Sequence, residues 1–182
     1  LLVQTMNQPL ENFINFSTPE VYGNTKRWIK ESYLFAPNTP YASSRAACDL
    51  HLMTFFRNYE FPVTFTRAAN VFGEGQQLYR IIPKTILCGI LGNRLSLHGG
   101  GTSERSFIHI QDVCDATYKV MRRGVSGETY HISTKDKITI KDLVWKISKR
   151  KNKWGRDAKK SEVGRPCYYL FSRNNLNFIC SN

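Results

Sequence analysis

The strongest constraint on the fold is a run in which a short apolar strand, a helix and a second apolar strand follow one another. Residues 13–17 and 62–67 are short segments that contain apolar and β-branched residues, and their length favours buried strands. Thr39 can cap a helix and Pro40 suits its first position, so a helix is predicted from residue 40 to about residue 58. Its predicted apolar face is Ala46, Ala47, Leu50, Met53 and Phe55 or Phe56. This order predicts an α/β fold in which a crossover helix joins parallel strands.

The remainder of the chain shows a more mixed pattern of short elements. Residues 68–73 are interpreted as a strand end followed by a loop. Thr139 and Asp142 fit a capping box and predict a last helix to about residue 150. The other predicted elements are the end of a helix at 1–8, helices at 79–91 and 111–123, strands at 94–97, 107–110 and 129–132, and a glycine loop at 99–101.

Two side chains at the start of the predicted helix suggest acid–base chemistry. Tyr41 and Arg45 are one helical turn apart, which places them on the same face. A fixed positive charge favours a phenolate and lowers the pKa of a neighbouring phenol. Such a phenol can take a proton from a sugar hydroxyl or return one. Thr18 and Glu20 follow the first strand, and ligands bind beyond the carboxyl ends of strands in open parallel sheets.

The charge of the chain points to an anionic partner. The formal net charge is +12, and much of the excess lies in 149–156 together with Lys159 and Lys160. Phosphate ligands, nucleic acid and acidic membranes all fit this charge. We predict a solvated basic loop here and no nucleic-acid contact, because no recognition module accompanies the charge.

Cysteine usage and hydropathy indicate the compartment. The chain has five cysteines, scattered and without a CxxC pair, so we predict reduced thiols, no zinc site and a cytoplasmic protein. No apolar run reaches the roughly 18 residues of a membrane helix, and no signal peptide is visible. Because the chain does not begin with Met, we expect a trimmed or partial chain.

Several short motifs occur together in a characteristic order. They are Ser-Thr-Pro-Glu-Val-Tyr-Gly at 17–23, Pro-Tyr-Ala-Ser-Ser-Arg-Ala-Ala at 40–47, Thr-Arg-Ala-Ala-Asn-Val-Phe-Gly at 66–73, Ile-Ile-Pro at 81–83, Arg-Ser-Phe-Ile-His-Ile-Gln-Asp at 105–112 and Gly-Glu-Thr-Tyr-His-Ile at 127–132. With this order and spacing, the chain resembles the nucleotide-sugar epimerase/dehydratase branch of the extended short-chain dehydrogenase/reductase family. Within that branch it is most similar to the dTDP-glucose 4,6-dehydratases. The likeness runs from about residue 11 to residue 147.

The resemblance implies an NAD-binding Rossmann domain and a smaller domain that holds a nucleotide sugar. We predict the C-terminal part of the first domain at 1–73 and the nucleotide-sugar domain at 74–182, partly interleaved with the first. The glycine-rich fingerprint of dinucleotide-binding folds appears nowhere in these residues. We therefore expect the chain to be the later part of such an enzyme, which by itself binds NAD poorly or not at all.

The resemblance also implies roles for the polar residues after the first strand and at the helix start. Tyr41 matches the catalytic tyrosine that removes the proton of the sugar 4-hydroxyl. Arg45 takes the place of the usual lysine, a change in shape and hydration although the charge is kept. Thr18 would bind the 4-hydroxyl, and Glu20 matches the carboxylate that takes the C5 proton. Pro19 stands where dehydratases carry an aspartic acid that protonates the departing hydroxyl.

Further positions match binding residues of the family. By resemblance, the cofactor is bound by Tyr41, Arg45 and Ala68. The predicted contacts to the nucleotide diphosphate or base are Asn70, Arg80, His98, Arg105 and Arg165. Arginine suits phosphate because its forked guanidinium donates paired hydrogen bonds. The last 30 or so residues do not align with the family pattern.

The resemblance leaves several functions open. The first expectation is NAD-dependent 4,6-dehydration of a nucleotide-linked glucose through a 4-keto intermediate. Alternatives are a nucleotide-sugar 4-epimerase, a UDP-glucuronate decarboxylase, and an inactive fragment or non-catalytic binding protein. A homodimer that uses the helix at 41–57 is implied as well.

Overall fold

A computed structural model of the chain describes residues 10–25 and 28–157, and describes 150–157 by their backbone alone. The predicted helix end at 1–8 and the residue Arg165 therefore lie outside the described residues. The elements are β1 (Phe13–Ser17), a 3₁₀-helix (Pro19–Tyr22), α1 (Pro40–Tyr59), β2 (Val63–Ala68), β3 (Asn70–Phe72), α2 (Ile81–Leu91), a second 3₁₀-helix (His98–Gly101), β4 (Glu104–Arg105), β5 (Phe107–His109), α3 (Ile110–Arg123), β6 (Thr129–Ile132), β7 (Ile138–Thr139) and α4 (Ile140–Asp157).

The described residues form two compact units. The first contains residues up to 69 and residues 111–133, and the second contains residues 70–110 and residues from 134 onward. The division into a cofactor part and a substrate part at residue 73 stays a prediction. No helix in the described part of the chain is long and apolar enough to cross a membrane.

The first unit is built on a parallel sheet with the strand order β1–β2–β6. Phe13 pairs with Val63 and Ser17 pairs with Arg67, so β1 and β2 run in register over the whole length of β1. Helix α1 connects these two strands, and β6 adds to the other side of β2. The predicted α/β fold with a parallel sheet and a crossover helix is thus confirmed.

The core of this unit lies around β2. Val63 and Phe65 are fully buried and contact Met53 of α1. The strand is buried from Val63 to Arg67 without alternation, as expected for a parallel strand covered on both faces. Burying each large apolar side chain contributes about 1.5–3 kcal/mol to stability.

Helix α1 begins where the sequence predicts, but its buried face agrees with the prediction only in part. Its buried residues are Ala42, Ala46, Asp49 and Met53, whereas Leu50 is 48% exposed and Ala47 is exposed. The predicted apolar face was therefore wrong at Ala47 and Leu50. The physical reason is Asp49, whose carboxylate bonds to groups on β1 and β2 and takes a place on the buried face that the hydrophobic pattern does not give it.

The second unit contains two small sheets and a pair of helices. Strands β3 and β5 pair in parallel, and β4 and β7 pair antiparallel. Ile82 of α2 packs with Leu143 and Ile147 of α4 to form its buried cluster. Thr139 caps α4 by accepting a hydrogen bond from the amide of Asp142 at 3.0 Å, which confirms the predicted helix start.

Two predictions in this unit were wrong. Residues 70–72, interpreted as a loop, form β3, because they find hydrogen-bonding partners in β5 far along the chain. The strand predicted at 94–97 is absent, and the backbone there has no regular structure. The free thiols of the described residues are Cys48, Cys88 and Cys114.

Replacing Thr39 by alanine should lower the free energy of unfolding by about 1 kcal/mol. The Thr39 hydroxyl accepts a hydrogen bond from the Ala42 amide at 3.1 Å and satisfies one of the unpaired donors at the start of α1. Urea unfolding followed by circular dichroism measures the change. Thr54→Ala, an exposed threonine inside the same helix, should change stability by less than about 0.5 kcal/mol. Equal effects of the two substitutions would contradict the capping role.

Candidate active site

The carboxyl edge of the parallel sheet brings together the residues that follow β1 and β2. Because Ser17 is paired with Arg67, Thr18 directly after β1 and Ala68, the last residue of β2, lie at the same edge of the sheet. In open parallel sheets, this edge is where ligands bind. The edge therefore gathers two of the residues predicted from the sequence.

A short 3₁₀-helix begins directly after β1. The Thr18 hydroxyl caps it by accepting a hydrogen bond from the amide of Glu20 at 3.3 Å, and Pro19 occupies its first turn. The Thr18 side chain is 9% exposed, and its hydroxyl proton meets no acceptor among the described residues. Thr18 can thus donate a hydrogen bond to a ligand, and Glu20 lies exposed on the next turn.

Helix α1 carries Tyr41 in its first turn and Arg45 one turn later. Tyr41 is 57% exposed, and no described residue hydrogen-bonds its hydroxyl. The Arg45 guanidinium donates to the backbone carbonyl of Phe16 in β1, which fixes a positive charge at the end of that strand. The Nε of Arg45 is buried and has no hydrogen-bond partner among the described residues.

Apolar contacts join this helix to the 3₁₀-helix after β1. Ala46 packs against Val21 and Tyr22, and all three side chains are buried. Gly23 ends the 3₁₀-helix with φ = 69°, and a Cβ there would lie 2.1 Å from the carbonyl oxygen of Ala36. Only glycine fits this position, so the segment that carries Thr18 and Glu20 is held by backbone geometry on one side and by α1 on the other.

Behind this edge lies a buried ion pair that the sequence motifs do not reveal. Asp49 of α1 and Arg67 of β2 are 2.9 Å apart, and both side chains are fully buried. The Asp49 carboxylate also accepts hydrogen bonds from Asn15 at 2.7 Å and from Ser17 at 2.6 Å. The carboxylate is therefore fully engaged by β1 and β2, and it is too deeply buried to touch a ligand.

The Arg67 guanidinium also contacts three aromatic rings and hydrogen-bonds to the Tyr22 hydroxyl. Its Cζ lies 4.9–5.8 Å from the ring centroids of Tyr22, Tyr33 and Phe35. Arg67 donates to the Tyr22 hydroxyl, and the same hydroxyl accepts from the amide of Ser32 at 3.1 Å. Arg67 therefore links the sheet to the segment around residues 31–35.

The Tyr22 hydroxyl also lies 3.1 Å from Nε2 of His131 in β6. The amide of His131 donates to the Glu31 carboxylate at 3.2 Å, and Nδ1 lies 3.7 Å from the same oxygen. Burial lowers the pKa of His131 from its usual value of 6.5, and the Glu31 carboxylate only partly opposes this shift. The folded protein thus favours the neutral imidazole.

The protein should lose stability as the pH falls through about 6.5, in part because of His131. The pKa of His131 is lowered by folding, so the unfolded chain takes up a proton that the folded chain resists. Above the unfolded pKa the group has no effect, and below it the penalty grows until the folded pKa is passed. Unfolding in urea at pH 7.5 and at pH 5.5 measures this loss.

In His131→Gln the loss of stability between these two pH values should be smaller than in the unchanged protein. His51→Gln, on the exposed side of α1, provides the control and should leave the loss as it is. An identical pH dependence in all three proteins would contradict the assignment to His131.

The residues predicted to bind the diphosphate or the base lie in the second unit. Asn70 opens β3, and its side-chain amide donates to the carbonyl of Ser106 at 3.1 Å. Arg80 precedes α2, is exposed, and stacks 5.6 Å from the ring of Tyr79. His98 and Arg105 are exposed on the second 3₁₀-helix and on β4. Arg80, His98 and Arg105 are thus accessible to a solvated anion. The Asn70 side-chain amide is already hydrogen-bonded to a backbone carbonyl.

Asp49 and Arg67 are the residues that the sequence motifs did not single out. One signal was present: Tyr41, Arg45 and Asp49 stand at successive turns of one helix face. A second was an arginine near the end of a strand that is buried along its length. Buried charges of this kind need a partner, and the two signals together point to one pair.

Comparison with known proteins decides the family. The model of the NAD dependent epimerase/dehydratase family matches residues 1–133. The chain belongs to this family. Human dTDP-D-glucose 4,6-dehydratase is 36% identical over 135 residues, a match that covers 74% of this chain and 39% of the human protein. The chain thus spans well under half the length of the curated relatives that it matches.

Solved structures of family members share the fold. dTDP-glucose 4,6-dehydratase from Bacillus anthracis, solved in complex with NAD, superposes with a TM-score of 0.70 at 32% identity, covering 74% of this chain and 44% of that chain. UDP-N-acetylglucosamine 4-epimerase from Methanobrevibacter ruminantium, in complex with UDP-N-acetylmuramic acid, gives 0.71 at 29% identity, covering 77% and 46%. The predicted family resemblance and Rossmann-type fold are therefore confirmed.

Proposed function

We propose that this family member acts on a nucleotide-diphosphate sugar by oxidising C4, and that 4,6-dehydration of a nucleotide-linked glucose is its overall reaction. The observation that carries the proposal is the exposed phenol of Tyr41, one turn from a guanidinium fixed at the carboxyl end of β1. The human relative, named a dTDP-D-glucose 4,6-dehydratase, supports the choice of reaction. Because the chain spans only part of that relative, the activity is proposed for the whole gene product.

The residues at this edge fit the reactive end of NAD. Tyr41 offers a phenol and Arg45 a fixed cation, groups that suit ribose hydroxyls, and the buried Nε of Arg45 adds a donor without a partner. Ala68 is the last residue of β2, at the same edge as Thr18, and its side chain contributes only a methyl group. When bound, NAD supplies the acceptor for the C4 hydride and later gives the hydride back. We assign Tyr41, Arg45 and Ala68 to the cofactor.

Proton transfers fall to three side chains of the chain itself. Tyr41, whose exposed hydroxyl has no hydrogen bond to a described residue, takes the proton of the sugar 4-hydroxyl. Thr18 donates a hydrogen bond to the same oxygen, since its own acceptor function is occupied by the Glu20 amide. The ketone formed at C4 acidifies the C5 proton, and the exposed Glu20 carboxylate takes it.

The anionic end of the substrate would be bound by the second unit. We assign Arg80, Arg105 and His98 to the diphosphate and base, because all three are exposed and two are always cationic. Asn70 remains a proposed contact, although its amide is hydrogen-bonded to the backbone. The assignment of Arg165 rests on the family resemblance alone and falls outside the described residues. The net charge of +12 favours such a ligand.

Pro19 favours a second candidate, 4-epimerisation or decarboxylation. It occupies the first turn of the 3₁₀-helix and carries neither a donor nor an acceptor in its side chain. Position 19 therefore supplies no acid next to Glu20 to protonate a departing 6-hydroxyl. Epimerisation needs only the C4 oxidation and its reversal from the other face, and loss of a C6 carboxylate as carbon dioxide likewise needs no such acid.

We also propose a homodimer in the cytoplasm. Helix α1 exposes a row of rings in which His51 lies 5.0 Å from Phe55 and Phe55 lies 5.4 Å from Tyr59. Tyr59 is 74% exposed and Phe55 is 41% exposed, and such a stripe fits a second copy of the helix. Sedimentation equilibrium tests the dimer.

The function is tested by incubating the full gene product and NAD with dTDP-glucose, UDP-glucose or UDP-glucuronate, each in a separate reaction. A product lighter by one water identifies dehydration. An isomer of unchanged mass, separated by chromatography, identifies epimerisation, and release of carbon dioxide from UDP-glucuronate identifies decarboxylation. Recovery of all three substrates unchanged would contradict the proposal and would favour a non-catalytic binding protein.

A further inference from the structure

Helix α1, which carries Tyr41 and Arg45, also carries one buried ionisable group, the Asp49 carboxylate. The proposed reaction assigns no role to this carboxylate. It is fully buried, yet it holds Ser17 at 2.6 Å, Asn15 at 2.7 Å and Arg67 at 2.9 Å. A group without exposed surface cannot touch a sugar, so any effect on the reaction must pass through its partners. Those partners are on β1 and β2, directly before Thr18 and Ala68.

The bonds between α1 and β1 follow a simple geometric order. Asp49 binds Asn15 and Ser17, and Arg45, one turn earlier, binds the carbonyl of Phe16. Two successive turns of the helix are thereby tied to three successive residues of the strand. Tyr41 lies on the next turn of the same helix face.

The hydrogen bond between Ser17 and Asp49 is the part of this network nearest to the reacting groups along β1. It joins a hydroxyl to a carboxylate at 2.6 Å, the distance of a strong charge-assisted bond. Ser17 immediately precedes Thr18, which we assign to the 4-hydroxyl. Proton transfer depends steeply on position, and a displacement of about 1 Å can cost about a hundredfold in rate.

We propose that Ser17 and Asp49 form a clamp that positions Tyr41 against Thr18 for proton transfer at the sugar. Both are positioning residues, and Arg67, 2.9 Å from the Asp49 carboxylate, holds that carboxylate in place as an acceptor for Ser17. The clamp holds the end of β1 at a fixed distance from the first turn of α1. This inference rests on the proposed function for its catalytic meaning, but the clamp itself can be tested without turnover.

The test uses Ser17→Ala in the full gene product, because this change keeps the ion pair of Asp49 with Arg67 and hence the fold. We expect kcat to fall by about 10- to 100-fold and KM for the nucleotide sugar to change by less than about twofold. Ser17→Thr keeps the hydroxyl and should restore most of kcat. Thr54→Ala, a hydroxyl on the exposed side of α1, is the control and should match the unchanged protein.

Amide hydrogen exchange tests the clamp independently of activity. In Ser17→Ala, the amides of Thr18, of residues 20–22 and of residues 41–45 should exchange at least about tenfold faster, while those of β6 keep their rates. Unchanged exchange, an unchanged kcat, or a loss that Ser17→Thr does not restore would overturn the clamp. If the protein without substitutions shows no activity but Ser17→Ala still exchanges faster, the proposed function is contradicted and the clamp is supported.

Discussion

Replacing Tyr41 by phenylalanine should lower kcat of the full gene product by about 10²- to 10⁴-fold, the usual contribution of a positioned acid or base. The variant loses only the hydroxyl that takes the proton of the sugar 4-hydroxyl. Tyr41 is 57% exposed and its hydroxyl has no hydrogen bond to a described residue, so stability should stay within about 0.5 kcal/mol. Steady-state turnover of the nucleotide sugar measures the first quantity and urea unfolding the second.

Tyr59→Phe is the matched control for this prediction. Tyr59 is the last residue of the same helix and is 74% exposed. The substitution removes the same phenolic hydroxyl, but at the opposite end of the helix from Tyr41. Its kcat should equal that of the unchanged protein. A Tyr41→Phe variant that keeps kcat within about threefold would remove Tyr41 from the proton transfer, whatever the control shows.

Replacing Arg67 by methionine should lower the free energy of unfolding by about 3–5 kcal/mol. Methionine fills part of the same volume but leaves Asp49 buried without a counter-ion, and both side chains of the pair are fully buried. A loss of this size corresponds to a fall in melting temperature on the order of 10 °C for a chain of this length. Thermal unfolding followed by circular dichroism measures it.

Two further variants show whether the unpaired charge is the cause. Arg57→Met changes an exposed arginine in the last turn of α1 and should alter stability by less than about 0.5 kcal/mol. The double variant Arg67→Met with Asp49→Leu removes both charges and should recover part of the loss, although Asn15 and Ser17 then lose their acceptor. If Arg67→Met were no less stable than Arg57→Met, the ion pair would not hold the sheet and helix together.

The first half of the fold could be predicted because its signals are local. Thr39 and Pro40 mark the start of α1, and the apolar runs before and after it match β1 and β2 to within about one residue. Strand β3 could not be predicted, because a strand of three residues, 70–72, is specified by its partner β5 and not by its own pattern. Residues 94–97 show the reverse case, an apparent strand pattern that gains no partner among the described residues.

The site was predictable where motifs carry it and hidden where the tertiary structure creates it. Tyr41, Arg45, Thr18 and Glu20 stand in motifs that can be recognised one by one, and the structure places them on α1 and just beyond β1. Asp49 was not part of the predicted apolar face, because helical periodicity weighs only hydrophobicity. Its burial depends on Asn15, Ser17 and Arg67. These partners lie far from Asp49 in the sequence, so helical periodicity does not detect them.

The oxidation of C4 is tested most directly with a nucleotide-linked glucose that carries deuterium at C4. The full gene product is incubated with NAD and this substrate, and the product is examined by mass spectrometry and nuclear magnetic resonance. We predict a product that has lost one water and carries the deuterium at C6; an epimerase would instead return it to C4 with inverted configuration. Substrate recovered with unchanged mass, label position and configuration at C4 would contradict the proposed function.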